Sequence, residues 1–276
     1  MDKYINSNGI RICYQSFGDS SNETIILIAG LGEQLGEWPR SFCENLADEN
    51  YRVIRFDNRD IGLSDKMPDR RYSLNDMADD TAGLISALNI NKAHIVGMSM
   101  GGMIAQILAA EYPDRVASLC SLMSSSGASG LPSPTPEVQE IITKKSDGTL
   151  DGFIENWVEA KRRIDSPAYP SSDLELYQRA KKNCARSYNP AGYMRHLNAI
   201  YSHGSRVELL KKIRCPTLVL HGSDDPLVAK ECGEDTAKHI QGSTFKLIKG
   251  MGHNLPTQLH SPLSDSILNN IKRTNQ

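Results

Sequence analysis

Ser99 stands at the centre of Gly97-Met98-Ser99-Met100-Gly101, between the apolar run Ala93-His94-Ile95-Val96 and the helix-forming stretch Gly102 to Ala110. A buried strand that turns sharply into a helix there puts the hydroxyl at an apex, exposed and at the positive end of the helix. The flanking glycines let the backbone turn without a Cβ clash. A serine hydroxyl is a weak nucleophile until a neighbouring base takes its proton, and that base needs a third group to orient it. His253 is the base candidate, in the loop Lys249-Gly250-Met251-Gly252-His253 that follows the last apolar run. The acid candidates are Asp224 and Asp225, in the loop after Thr217-Leu218-Val219-Leu220. Taken as Ser99, Asp225, His253, the residues come from three loops at the ends of different strands, where open α/β sheets collect their functional groups. His94, inside a strand, and His260, inside the final helical pattern, read as structural.

The chemistry this implies is acyl transfer, which also needs two N–H donors for an oxyanion. Met100, directly after Ser99 at the helix start, supplies one. Leu31, in Ala29-Gly30-Leu31-Gly32-Glu33 after the first buried run, supplies the other through its backbone. Glu33 and Trp38 are candidates for the pocket mouth. The clustered charges Asp57, Arg59 and Asp60 read as a turn network that satisfies backbone groups rather than as an anion site. Met98, Met100 and Met103 read as packing around the turn.

These loops need a sheet to hold them. Lys3 to Phe17 reads as a hairpin turned at Asn8-Gly9. Thr24–Ala29, Arg52–Phe56, Ala93–Val96, Val116–Leu122, Thr217–Leu220 and Thr244–Ile248 read as further strands, several of them apolar throughout. Helical patterns separate them: Ser41 to Glu49, and a second from Leu74 opened by Ser73 with Asp76 as a capping box. The fold class is therefore α/β: a mostly parallel sheet of about eight strands with helices on both faces and an N-terminal antiparallel hairpin. From Ser124 the strand patterns stop. A loop-like stretch precedes helical patterns at Glu137–Lys145, Gly152–Ile164, Asp173–Ser187 and Pro190–Tyr201, the last with Asn189 placed to cap it. These predict a helical cap, residues 124–205, inserted after the sixth strand into a core of residues 1–123 and 206–276.

Composition narrows the partners. With 31 basic and 33 acidic residues and a net charge of −2, the chain has no basic footprint for nucleic acid or for a membrane surface. No window approaches the ~20 apolar residues of a membrane span. The N-terminus lacks a signal-peptide pattern, so a cytoplasmic location is expected. Six scattered cysteines without C-x-x-C pairs read as reduced residues, and neither zinc spacing nor a dinucleotide fingerprint is present, so no metal or cofactor is expected.

The motifs together resemble the α/β-hydrolase family over nearly the whole chain. Ala29-Gly30-Leu31-Gly32 is similar to its oxyanion loop, and Asp57-Asn58-Arg59-Asp60-Ile61-Gly62-Leu63-Ser64 to its D-x-R-G-x-G-x-S turn. Gly97–Gly102 matches the nucleophile elbow, Gly222–Pro226 the acid loop and Gly250–His253 the histidine loop. Ala29 replaces the usual histidine and Asp60 a glycine; the first leaves the Leu31 N–H available. The family pattern selects Asp225 over Asp224 as the acid. A narrower likeness, in Trp38-Pro39 and Gly-Met-Ser-Met-Gly-Gly-Met, is to a subgroup that includes aclacinomycin methylesterase. It implies a serine esterase, without cofactor, that hydrolyses a methyl ester or another small carboxylic ester of a small molecule. The alternatives are the same triad used on a C–C bond, lactone or amide or for perhydrolysis, and a slow-turnover ligand receptor.

Overall fold

The computed structural model describes residues 1–144 and 147–275, so Lys145, the expected end of the first cap helix, lies outside the described residues. Eight strands form one sheet: β1 (Lys3–Ser7), β2 (Ile10–Phe17), β3 (Thr24–Ile28), β4 (Arg52–Phe56), β5 (Ala93–Met98), β6 (Val116–Leu122), β7 (Thr217–Gly222) and β8 (Thr244–Ile248). Their order across the sheet is β1-β2-β4-β3-β5-β6-β7-β8. β2 pairs antiparallel with β1 and β4, and every other pairing is parallel. At the hairpin both Asn8 (φ 49°) and Gly9 (φ 77°) are left-handed, the backbone a two-residue turn needs to match strand twist.

The central strands β3, β5 and β7 are buried at every position, which is why they read as unbroken apolar runs rather than as alternation. Side chains still alternate between faces. Ile26 and Ile28 join a core with helices α2 (Leu74–Ala87) and α3 (Met100–Glu111), while Ile25 and Leu27 join one with α1 (Arg40–Ala47) and α10 (His260–Lys272). The capping box at the start of α2 is formed: Ser73 N–H donates to Asp76 Oδ2 at 2.8 Å, and Asp76 N–H to Ser73 Oγ at 3.3 Å. α9 (Lys230–His239), between β7 and β8, is an element the sequence pattern does not single out.

The cap follows β6. Its helices are α4 (Pro136–Thr143), α5 (Leu150–Arg163), α6 (Asp173–Arg186), α7 (Pro190–His203) and the short α8 (Val207–Leu210). It has only a small core of its own, Ile154, Val158, Leu176 and Ala180. Asn189 does sit at the start of α7, but its side chain makes no cap hydrogen bond; instead Nδ2 donates to the Asp60 carbonyl at 2.8 Å. Asp60 is fully buried and pairs with Arg195 of α7 at 2.8 Å. Asp57 is likewise fully buried, pairs with Arg186 of α6 at 2.7 Å, and accepts the N–H groups of Leu35 and Leu63. The charged turn after β4 thus satisfies backbone groups, and it also ties cap to core. Trp38 does not reach the pocket mouth. It is fully buried in the α1-side core, 5.5 Å from the Phe42 ring, with its carbonyl held by Arg55. All six cysteines are free thiols; Cys184 and Cys215 are only partly buried. Among the described residues no helix is long and apolar enough to cross a membrane.

Candidate active site

Ser99 is the sharpest feature of the backbone at the strand ends. It sits between β5 and α3 with φ 54° and ψ −122°, a conformation that costs a non-glycine residue on the order of 1–3 kcal/mol and persists only when the surroundings over-determine it. What over-determines it is crowding. A Cβ on Gly97 would lie 2.1 Å from the Gly101 carbonyl oxygen, and one on Gly101 would lie 2.2 Å from the Ile28 carbonyl oxygen. Neither glycine has a positive φ, so they are required for close approach, and the left-handed turn falls on the serine itself. Ser99 N–H donates to the Leu122 carbonyl at 2.9 Å, and Ser124 Oγ donates to the Ser99 carbonyl at 2.8 Å.

His253 and Asp225 meet from the loops after β8 and β7. His253 Nδ1 donates to Asp225 Oδ2 at 2.7 Å, leaving Nε2 as the other ring nitrogen. Asp225 Oδ1 accepts the N–H groups of Leu227 at 3.0 Å and Val228 at 2.8 Å. Burial alone would raise the Asp225 carboxyl. The charge of His253 and the hydrogen bonds from His221 and His253 outweigh that and hold it at about 2. Asp224 is turned elsewhere, its carboxylate accepting from Ser223 Oγ and from Gly250 N–H; it shapes the turn and does not touch the histidine.

Sequence reasoning missed several supports of this arrangement. His221, at the end of β7, places Nε2 3.5 Å from Asp225 Oδ2 and donates to the Val228 carbonyl at 2.7 Å. Its place four residues before Asp225 was the available signal. The loop bearing His253 is clasped by the cap: His253 N–H donates to the Ile164 carbonyl at 2.8 Å, and Gly252 N–H to Ser166 Oγ at 2.8 Å. His196 of α7 accepts Gly32 N–H on Nδ1 at 3.3 Å and contacts the Arg59 carbonyl through Nε2 at 2.8 Å, so its ring bridges the cap to the loop after β3.

Ser99, Leu31 and His253 line one cavity of about 340 Å³ between the strand ends and the cap. The N–H groups of Leu31 and Met100 have no acceptor among the described residues; the Met100 side chain is buried in the core beneath. Gly30 brings the β3 loop against the elbow: a Cβ there would be 3.3 Å from Ser99 Cβ. The wall is mainly apolar, with Met103, Phe153, Trp157, Tyr193 and Leu197 among its members. Glu33 lies on it, as the sequence suggested. A hydroxyl and a carboxylate-oriented imidazole on one cavity, with the Leu31 N–H beside them and the Met100 N–H next to Ser99 in the chain, are components of the kind acyl transfer uses.

Comparison with known proteins agrees with this architecture. The chain is similar to the rhodomycin D methylesterase of Streptomyces sp. (strain C5), at 27% identity over 96% of both chains. It is similar to a putative carbamate hydrolase of Pantoea ananatis, at 29% identity over 79% of this chain and 77% of that one. Among solved structures, the meta-cleavage product hydrolase of Pseudomonas fluorescens IP01 superposes with a TM-score of 0.81 at 20% identity, covering 98% of this chain and 97% of that one. The model of the alpha/beta hydrolase fold matches residues 23–257, and the chain belongs to the α/β-hydrolase family.

Proposed function

We propose that this protein is a serine hydrolase that cleaves a carboxylic ester of a small molecule through an acyl-enzyme on Ser99. Its family membership and its likeness to a methylesterase over nearly the full length favour ester chemistry, with a methyl ester as the finer reading. The observation that carries the reading is that Ser99, at its strained turn, and His253, paired with Asp225, line one cavity.

In this reading His253, kept in the Nδ1–H tautomer by Asp225, takes the Ser99 proton on Nε2 as the oxygen attacks the ester carbonyl. The Leu31 and Met100 N–H groups receive the oxyanion, each such donor contributing about 3 kcal/mol to the transition state. The C–O bond to the alcohol breaks as His253 returns the proton to it, and water then repeats the sequence on the acyl-enzyme. Residues 1–123 and 206–276 form the catalytic core, and residues 124–205 the cap that shapes the cavity.

Ser99→Ala tests this directly. Steady release of p-nitrophenol from short p-nitrophenyl esters should fall by at least about 10⁴-fold while the folded structure persists. Wild-type turnover in the variant would remove Ser99 from the chemistry. A single burst without turnover in the native protein would instead favour a slow receptor.

A further inference from the structure

Three charged side chains that the Ser99 chemistry does not use line the cavity, and a fourth, Arg179, pairs with one of them from outside the lining. Glu33 and Glu37 come from the segment after β3, Lys161 from α5 and Arg179 from α6. Lys161 Nζ donates to Glu33 Oε1 and, at 3.4 Å, to Glu37 Oε1, while Arg179 pairs with Glu37. Both cations stand over the Trp157 ring, 5.2 and 5.6 Å from its centre. The Lys161 and Glu33 side chains are each only 13% exposed. Apart from Glu33, Glu37 and Lys161, no Asp, Glu, Lys or Arg lines the cavity among the described residues.

Stability alone is a weak reason for these charges, because a buried ion-pair cluster is often matched or bettered by apolar residues of the same volume. Their donors point to another use. An ammonium has three N–H donors; Glu33 and Glu37 take two, and the third is left for the cavity. Burial first, and then the charge of Glu37, push the Glu33 carboxyl up to about 8 despite Lys161, and its hydrogen bond to Glu37 acts in the same direction, so a proton held there is donated to Glu37 and not to the cavity. Burial would raise Glu37 too, but Arg179 and Lys161 hold it well below the ordinary range. The donor the cluster leaves for the cavity is therefore the third Lys161 N–H. The cluster is also near Ser99: the Cβ position above Gly30 lies 3.3 Å from Ser99 Cβ and 3.8 Å from Glu33 Cγ.

Resting on the reading of Ser99 as the acylated residue, we propose that Lys161, held by Glu33 and Glu37, forms a subsite for an oxygen acceptor on the acyl part of the substrate. The substrate class is an ester whose acyl chain carries a carbonyl or carboxylate a few carbons from the scissile bond, with apolar groups filling the rest of the cavity. Lys161 is then a specificity residue and not only a tether between cap and core.

The test compares p-nitrophenyl pentanoate, p-nitrophenyl 4-oxopentanoate and the p-nitrophenyl monoester of glutarate. A hydrogen bond to a charged donor corresponds to roughly a tenfold gain or more. Native protein should therefore show kcat/KM at least about tenfold higher for the oxo ester or the carboxy ester than for pentanoate. Preference for the oxo ester identifies a neutral carbonyl, and preference for the carboxy ester an anion. Lys161→Met should abolish that ratio through KM, and Lys161→Arg should keep most of it. Native ratios near one for both esters overturn the proposal, and that arm needs no variant to fold. Equal losses on all three esters in Lys161→Met, with the ratios intact, overturn it in favour of a tether. Failure of the underlying reading looks different: no ester is turned over, and a fluorophosphonate leaves Ser99 unlabelled.

Discussion

Core and cap border the same cavity but are held by different physics. The core side is fixed by apolar burial and backbone crowding: β5 is buried throughout, and glycines 97 and 101 fit against carbonyl oxygens that a Cβ would strike. The cap side rests on a small core of four buried residues and on charge. Arg186 and Arg195 reach fully buried aspartates, and Lys161 and Arg179 reach Glu33 and Glu37. A hydrophobic core is non-directional and insensitive to pH, whereas a charged seam depends on each partner and on protonation. The side of the cavity that carries Ser99 is thus held by packing, and the other side by individual charge pairs.

The comparison can be broken most forcefully on the core side. Asp225→Asn should lower kcat by about 10⁴-fold, because an amide facing Nδ1 favours the wrong imidazole tautomer. A far smaller loss, measured by steady-state kinetics on a p-nitrophenyl ester, would mean that the Asp225–His253 contact is structural.

The cap prediction concerns stability. Arg195→Met strands a fully buried Asp60 carboxylate. It should cost about 3 kcal/mol, the low end for breaking a buried pair because the arginine is partly exposed, and lower Tm by roughly 5 °C. Hydrogen exchange should show α7 opening before the sheet. Loss of protection across all strands at once would show that cap and core are a single cooperative unit and remove the distinction.

The mildest probe is pH. Burial holds His196 at about 4, against the raising effect of the Arg59 carbonyl and of Asp60, with Arg195 and Arg59 adding to the depression. Its ordinary value is 6.5, so between those values the unfolded chain binds the proton and the folded one resists it. The stability is present above pH 6.5 and is lost as pH falls toward 4, by up to about 3 kcal/mol. Tm should fall across this window in the native protein and stay flatter in His196→Gln. Asp60, whose carboxyl Arg195 and the Met67 N–H depress despite burial, loses its contribution only at lower pH, below the ordinary aspartate range. Equal slopes for native and variant protein would take His196 out of the seam.

These differences also decide what the sequence discloses. The elbow is legible because strand, turn and helix are contiguous, and the parallel sheet because its strands are apolar throughout. Asp225 and Asp224 are adjacent and chemically identical, so only a family pattern separates them; the structure separates them by which carboxylate reaches His253. Trp38 misleads because a large aromatic near a glycine loop suits a pocket wall as well as a core. The seam is not legible at all, since its partners are distant: Lys161 and Glu33 are 128 residues apart, and His196 and Arg59 are 137 apart. Nothing local in an amphipathic cap helix says which of its charges faces the core.

The central claim is that Ser99 forms a covalent acyl-enzyme. Mass spectrometry of the protein after a fluorophosphonate, and after a rapid acid quench with a p-nitrophenyl ester, addresses it most directly. One equivalent of adduct on the peptide containing Ser99, absent in Ser99→Ala, is the predicted result. Ester turnover with no adduct on that peptide, or an adduct on another residue, would contradict it.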